Sequence, residues 1–226
     1  MNKKADKGII LARTDFGERD RILTVLLHGG GKARLIAKGV RSAKSKLAGG
    51  IELFSESNLG YIQGRGDLFT LTSSRLIKHF GSIVRDYEKT QLAYEMLKTT
   101  NKVVEDGQGQ EYYPLLLAGL SYLDNESLSR ESTSVWFYLR LLGLMGSSIN
   151  LKTSRGGKGL EESAHYSFDY ERNCFYPEEA GVFSQQAVKL LRIVSGSNKP
   201  ITSDISATEQ EKISKLLLES LREAIR

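Results

Sequence analysis

The sequence predicts an α+β protein in which a small five-stranded β-barrel is followed by a C-terminal α-helical domain. Two observations support this prediction. Up to His79, short apolar or alternating segments are separated by turn-forming residues. After Phe80, the spacing of apolar residues changes from two to about 3.6. We therefore expect two domains, covering residues 1–79 and 80–226.

The first domain contains the signals for five short strands. The predicted strands cover residues 8–13, 21–27, 32–38, 51–63 and 68–72. Glycine-rich turns separate them, because glycine adopts positive φ without steric cost. Five strands in under 80 residues indicate a closed barrel, since an open sheet of that size would expose its edges. Among such barrels the OB type is a common nucleic-acid binder.

The second domain contains the signals for five helices. They are predicted over residues 84–104, 112–123, 128–145, 184–194 and 207–225. Gly146 fits a left-handed cap after the third helix, and Ser206 with Glu209 has the spacing of a capping box. Residues 147–182 interrupt the helical pattern, and we expect a loop followed by a short aromatic hairpin between Tyr166 and Tyr176.

Length and composition exclude several classes of protein. A chain of 226 residues buries roughly 70% of its unfolded surface and needs no disulfide or metal for stability. Its single cysteine, Cys174, cannot form an internal disulfide or a thiolate-rich zinc site. No segment reaches the roughly 20 apolar residues of a membrane span, and the N-terminus does not resemble a signal peptide. We expect a soluble cytoplasmic protein that does not contact membranes.

The positive charge is concentrated in the first domain. Residues 1–79 contain 15 Lys and Arg against 7 Asp and Glu, a net charge of +8, whereas the remaining residues carry −3. No acidic residue occurs between Arg21 and Glu52. Cations on one sheet face and on an adjoining loop are typical of a groove that follows a phosphate backbone. The alternative is a solvated loop that lysines keep soluble.

Several residues of the barrel are therefore candidates for contacting nucleic acid. The cationic candidates are Arg21, Lys32, Arg34, Lys38, Arg41, Lys44, Lys46 and Arg65. Phe16 and Tyr61 are candidate platforms on which bases stack. The alternative for both aromatic residues is the barrel core.

The sequence contains no arrangement typical of an enzyme. The three histidines are scattered, and the segment Gly29 to Lys32 lacks the hydroxyl residue that a phosphate-binding loop requires. Asp15, Glu18 and Asp20 alternate with arginines, which favours ion pairing within the turn over metal binding. We expect no catalysis, no cofactor and no small-molecule substrate.

Four blocks of the predicted barrel resemble the DNA repair protein family RecO. They are residues 8–11, 16–23, 31–32 with 37–41, and 64–72, and a weaker similarity covers residues 136–146. The resemblance implies an OB barrel, a helical domain and a role in recombinational repair in the bacterial cytoplasm. It also implies binding to single- and double-stranded DNA, strand annealing, and cooperation with RecR in loading RecA onto DNA coated by single-strand-binding protein (SSB).

The sequence departs from this family at the zinc site that many RecO proteins carry. The four cysteines of that site would fall near Ser154, Gly157, Pro177 and Ala180, and none of these residues is a zinc ligand. His165 and Cys174 are two nearby candidates, and two ligands do not make a structural site. We predict no zinc and regard residues 147–182 as a degenerate form of the zinc-binding insertion.

The resemblance further implies a contact between the helical domain and the acidic, apolar tail of SSB. Such a pocket needs an apolar floor and a cationic rim, for which Trp136 and Arg140 are candidates. The alternative is a core tryptophan beside a solvated arginine. Two other functions also stay open, namely a protein-interaction adaptor and an OB-type RNA-binding protein.

Overall fold

The computed structural model describes residues 3–64, 66–105, 109–160, 165–203 and 205–225, and its first five strands close into a barrel. These strands are β1 (Lys3–Phe16), β2 (Asp20–Leu27), β3 (Lys32–Ala37), β4 (Ser55–Ile62) and β5 (Leu68–His79). Their order around the barrel is β1-β2-β3-β5-β4, and β4 pairs back with β1. Only the β3–β5 pair among these is parallel. This order confirms the predicted five-stranded OB-type barrel.

Strand β1 belongs to both halves of the barrel. A bulge between Ile10 and Ala12 bends it, so that its first half pairs with β4 and its second half with β2. Gly8 pairs with both neighbours, and a Cβ there would lie 2.5 Å from a Val25 methyl carbon and 2.8 Å from one of Leu59. Glycine is required at residue 8 because the bent strand passes so close to the core.

Two strands are longer than the hydrophobic pattern predicts, and one is shorter. β1 begins at Lys3, and β5 continues to His79 although residues beyond 72 are mostly exposed. Backbone pairing with β4 extends β5 there without an alternating apolar signal. β4 begins only at Ser55, because Phe54 has a φ of 55° and interrupts the extended backbone.

Two compact units divide the chain after Asn125. The first unit joins the barrel with α1 (Tyr87–Val103) and α2 (Tyr112–Asp124). Residues 126–226 form the second unit, so the first two predicted helices belong to the same unit as the barrel. The predicted boundary after His79 stays a prediction about independent domains.

A buried hydrogen bond fastens α2 to the barrel. The Tyr113 hydroxyl donates to Glu56 Oε1 over 2.7 Å, and both side chains are buried. Burial and this bond raise the pKa of Tyr113. The Lys32 ammonium donates to the Asn101 carbonyl over 2.7 Å near the end of α1, where a helix dipole favours a cation.

The described residues of the second unit form three helices and a small sheet. The helices are α3 (Arg130–Leu144), α4 (Gln185–Ser195) and α5 (Ala207–Ala224). The strands are β6 (His165–Asp169), β7 (Cys174–Pro177) and β8 (Phe183–Ser184), in the order β7-β6-β8. Gly146 has a φ of 73° and Ser206 Oγ accepts from the Glu209 amide, as the sequence predicts. No helix among the described residues is long and apolar enough to span a membrane.

Aromatic contacts hold the predicted hairpin. The Phe175 ring lies edge-on to Phe168 and to Phe183, with centroids 4.9 and 5.5 Å apart. The guanidinium carbon of Arg155 lies 4.0 Å from the centroid of the Tyr176 ring, which joins the preceding loop to the hairpin. These contacts lie in the segment for which the resemblance implies a zinc site.

The residues present do not fit a zinc ion. Ser154 and Gly157 form a tight turn without a thiolate, since the Gly157 amide donates to the Ser154 carbonyl. Cys174 is buried and lies opposite Asp169 of β6. His165 begins the same strand four residues earlier, so that it lies about 13 Å along the strand from Asp169. Within the described ranges, no three His, Cys, Asp or Glu side chains are grouped as metal ligands. The absence of zinc stays a prediction.

Removing the Tyr113 hydroxyl will destabilise the barrel unit. In a Tyr113→Phe variant the buried Glu56 carboxylate loses its donor, and we expect a loss of about 1–3 kcal/mol in the free energy of unfolding, measured with urea. Tyr87→Phe is the matched control, because Tyr87 is 75% exposed, and its loss should stay below about 0.5 kcal/mol. Equal stability of the two variants would show that the buried bond does not fasten α2.

The zinc prediction is tested by elemental analysis of the purified protein. We expect less than about 0.1 zinc per chain, because the insertion lacks the four ligands of a tetrahedral site. Chelator treatment should leave the melting temperature unchanged, whereas a structural zinc site loses its fold with the metal. Stoichiometric zinc would overturn this assignment.

Candidate nucleic-acid interface

The outer surface of β2 and β3, here called the β2–β3 face, carries the predicted cationic strand. Leu23, Val25 and Leu35 are fully buried inside the barrel, so the alternate residues point outwards. Arg34 lies beside Thr24 of β2 and Leu68 of β5. In OB barrels this face and the loops after β1 and β4 bind oligonucleotides and oligosaccharides.

An apolar pair lies on this face, close to the end of β3 that leads into the loop. Ile22 of β2 lies directly opposite Ile36 of β3, and both side chains are partly exposed on the outer side. Sequence reasoning missed this pair, because isoleucines in a strand are ordinarily assigned to the core. The alternation against the buried Leu23 and Leu35 was the signal that could have identified it.

Two hydrogen bonds join the β1–β2 turn to the start of the basic loop, residues 38–54. Asp20 Oδ1 accepts from the Gly39 amide over 2.7 Å, and the Arg19 carbonyl accepts from the Arg41 amide over 2.9 Å. Gly39 has a φ of 63°, a conformation that favours glycine. The turn and the basic loop therefore form one edge of the β2–β3 face.

The basic loop is fixed to the barrel at several residues. Val40 and Ile51 are buried in the barrel core, and Leu47 packs against it. The Leu47 carbonyl accepts from Ser74 Oγ over 2.7 Å. The loop therefore presents its cations from a defined surface.

Asp15 neutralises part of the predicted cationic surface. Its carboxylate lies 2.8 Å from Arg21 Nε and 3.5 Å from a terminal nitrogen of Arg41. The hydrogen bond from Arg21 and the charge of Arg41 lower the pKa of Asp15 below its ordinary value. Arg41 also donates to the Gly17 carbonyl over 3.3 Å. The predicted ion pairing within this turn is thus present between Asp15 and Arg21.

The other cationic candidates differ in whether they contact another group of the protein. Arg34, Lys38, Lys44 and Lys46 are exposed, and within the part of the chain that the structure describes none of them pairs with a carboxylate. Lys32 is engaged with the end of α1. Arg65 lies outside the described residues. The face thus retains four exposed cations from the predicted set that pair with no carboxylate among the described residues.

The two candidate stacking residues lie in different environments. Phe16 is 51% exposed at the end of β1, beside the turn at the edge of the β2–β3 face. Tyr61 is only 6% exposed and packs edge-on against Phe69 at 5.4 Å. Its ring belongs to the barrel core and offers no face to a base.

The candidate partner residues lie on α3 in the second unit. Trp136 is 4% exposed and belongs to the core, so its indole cannot form the floor of an open pocket. Arg140 is partly exposed and donates to Asn198 Oδ1 over 2.5 Å. A tail-binding pocket around these two residues would therefore have to use other apolar side chains.

Comparison with known proteins agrees with this architecture. Residues 1–80 match the family model described as Recombination protein O N terminal. The chain is 35% identical over 146 residues to the DNA repair protein RecO of Desulfatibacillum aliphaticivorans, which covers 63% of the chain but only 57% of that relative.

Two further relatives extend the similarity. The RecO protein of Acetivibrio thermocellus is 30% identical over 170 residues, covering 74% of the chain and 67% of that protein. The RecO protein of Dehalococcoides mccartyi is 29% identical over 234 residues, which cover 97% of the chain and 87% of that protein. With a barrel of OB topology, a helical second unit and these similarities along most of its length, the chain belongs to the RecO family.

Proposed function

We propose that this protein is a DNA-binding recombination mediator in DNA repair. In this role it binds single- and double-stranded DNA, promotes strand annealing and, with RecR, helps load RecA onto SSB-coated DNA. The observation that carries the proposal is the set of four exposed cations on the β2–β3 face of an OB-type barrel. Membership of the RecO family supports the repair role.

The chemistry of the face favours contact with the phosphate backbone. Lysine and arginine neutralise phosphates and release counterions, so affinity falls with salt and depends little on sequence. Ile22, Ile36 and Phe16 add apolar surface against which unstacked bases can pack. Backbone contacts from the basic loop and base contacts from the strands suit a single strand that crosses the β2–β3 face.

Annealing follows from the same charges. Two DNA strands repel each other, and cations that neutralise their phosphates lower this barrier. No nucleotide or metal is needed for such a step. The contacts with SSB, RecR and RecA are proposed on the basis of family membership alone. Arg140 remains the candidate for the cationic rim of a pocket that binds the SSB tail.

The four exposed cations should account for most of the DNA affinity. We expect the variant Arg34→Gln, Lys38→Gln, Lys44→Gln, Lys46→Gln to bind a single strand at least about tenfold more weakly at 50 mM salt. The slope of log affinity against log salt should fall by about 0.7 for each phosphate that the variant no longer neutralises. A fluorescence anisotropy titration over a range of salt concentrations measures both quantities.

The matched control removes four exposed lysines from the second unit, Lys152, Lys158, Lys199 and Lys212, in the same way. Unchanged binding by the β2–β3 variant would show that the face is wrongly assigned. Weak binding by the unchanged protein at moderate salt would favour the adaptor. A preference for RNA over DNA of equal length would favour an RNA binder, since the 2′-OH distinguishes the two.

Removing the carboxylate of Asp15 should strengthen DNA binding. Asp15 is charged at neutral pH and pairs with Arg21 and Arg41, and these contacts lower its pKa further below the neutral range. In Asp15→Asn these arginines are released, and we expect affinity for a single strand to rise by about twofold to fivefold with a steeper salt slope. Glu179→Gln, an exposed change of equal charge in the second unit, is the control. Weaker binding by Asp15→Asn would show that the carboxylate positions the turn and that its ion pairs do not limit binding.

A further inference from the structure

A cleft of about 500 Å³ lies on the outer surface of the barrel where β1, β4 and β5 run side by side. Small residues form its floor, since Ala5 of β1 pairs with Gly60 of β4, and Gly60 pairs with Ser73 of β5. A Cβ at residue 60 would overlap the Ser73 hydroxyl. The depression therefore exists because none of these three residues has a side chain larger than that of serine.

Polar side chains line the cleft around this floor. Lys7 pairs with Asn58, and Asn58 pairs with Arg75, two residues along the strands from the small-residue row. Residues two apart on a strand point to the same side, so this polar row lies on the same outer surface as the floor. Lys3, four residues from Lys7 on β1, extends the cleft in the other direction.

The cleft carries a net positive charge. Lys3, Lys7 and Arg75 are exposed, and among the residues with described positions none of the three pairs with a carboxylate. Asp6 is the acidic residue of the lining. Its oxygens accept from the backbone amides of Gly29 and Lys7 over 2.9 and 2.8 Å. The lining thus contains three cations and one carboxylate, and that carboxylate already accepts hydrogen bonds from two backbone amides.

The strand order places the cleft on the far side of the barrel from the β2–β3 face. In the ring β1-β2-β3-β5-β4, strand β4 stands opposite the β2–β3 pair. The outer surface of β4 therefore faces away from Arg34 and the basic loop. One strand of DNA on the β2–β3 face would leave the cleft free.

We propose that this cleft is a second nucleic-acid contact, which holds the phosphate backbone of another strand and lets one protein bridge two DNA molecules. The inference rests on the proposed function, because it takes the β2–β3 face as the first contact. Lysine, arginine, asparagine and serine are the side chains that contact phosphates. Lys3 and Lys7 are separated by about 13 Å along β1, a spacing that suits the repeated charges of a backbone.

The floor argues against an acidic protein segment as the occupant. Protein interfaces depend on apolar or aromatic anchors buried in pockets. The Ala5, Gly60 and Ser73 floor has no such pocket, and the side chain of Leu59 is buried in the barrel core. A hydrophilic, charged backbone fits this surface better than a peptide with apolar side chains.

Capture of a second strand tests the inference in the full-length protein. An immobilised single strand is loaded with protein, and a labelled strand of non-complementary sequence is then offered. In the variant Lys3→Gln, Lys7→Gln, Arg75→Gln we expect affinity for the first strand to change by less than about threefold, and capture of the second to fall at least about tenfold. The control is Lys152→Gln, Lys199→Gln, Lys212→Gln, and thermal melting checks that each variant is folded.

The possible results separate this inference from the proposed function. Undiminished capture by the folded cleft variant would overturn the inference. This is the result expected if two copies of the chain associate and each holds one strand. A protein that binds one strand and never captures another would also overturn it, leaving the proposed function intact. Failure to bind even the first strand at low salt would overturn both. Loss of binding to a poly-glutamate peptide, with strand capture intact, would show that the cleft takes an acidic peptide.

Discussion

Strand β1 bends at the bulge between Ile10 and Ala12, and through this bend it pairs with β4 along its first half and with β2 along its second. The barrel closes because one strand serves both neighbours. Gly8 permits the bend, since a side chain there would collide with Val25 and Leu59. The β2–β3 face and the cleft over β4 both depend on this strand, because it sets which outer surfaces stand opposite each other.

Closure of the barrel also determines which cations make contacts within the protein. Asp15 lies near the end of β1, and its carboxylate neutralises Arg21 and Arg41 at the edge of the β2–β3 face. Lys32, at the start of β3, is directed to the end of α1. Arg34, Lys38, Lys44 and Lys46 pair with no carboxylate among the described residues, whereas Arg21, Arg41 and Lys32 make contacts that order the fold. A count of lysines and arginines therefore overstates the binding surface.

The sequence predicted the strand and helix types well, because hydrophobic period and glycine turns are local signals. It predicted the end of β5 poorly, since exposed residues beyond Thr72 pair through the backbone and have no alternating pattern. Whether residues 1–79 form an independent domain stays a prediction. In the structure α1 and α2 share a compact unit with the barrel, and periodicity in the sequence does not say against what a helix packs. That information lies in the buried bond between Tyr113 and Glu56, which are 57 residues apart.

The candidate site shows the same limit. Arg34 to Lys46 were found because they are close in sequence, so their charges accumulate in one window. Lys3, Lys7 and Arg75 are separated by up to 72 residues, and only the pairing of β1 and β5 with β4 brings them to one cleft. Burial likewise distinguishes Phe16 from Tyr61, although both are aromatic residues of barrel strands. The distribution of charge along the sequence identifies a surface that one segment forms. A surface that several strands form can be predicted only when the pairing register of those strands is known.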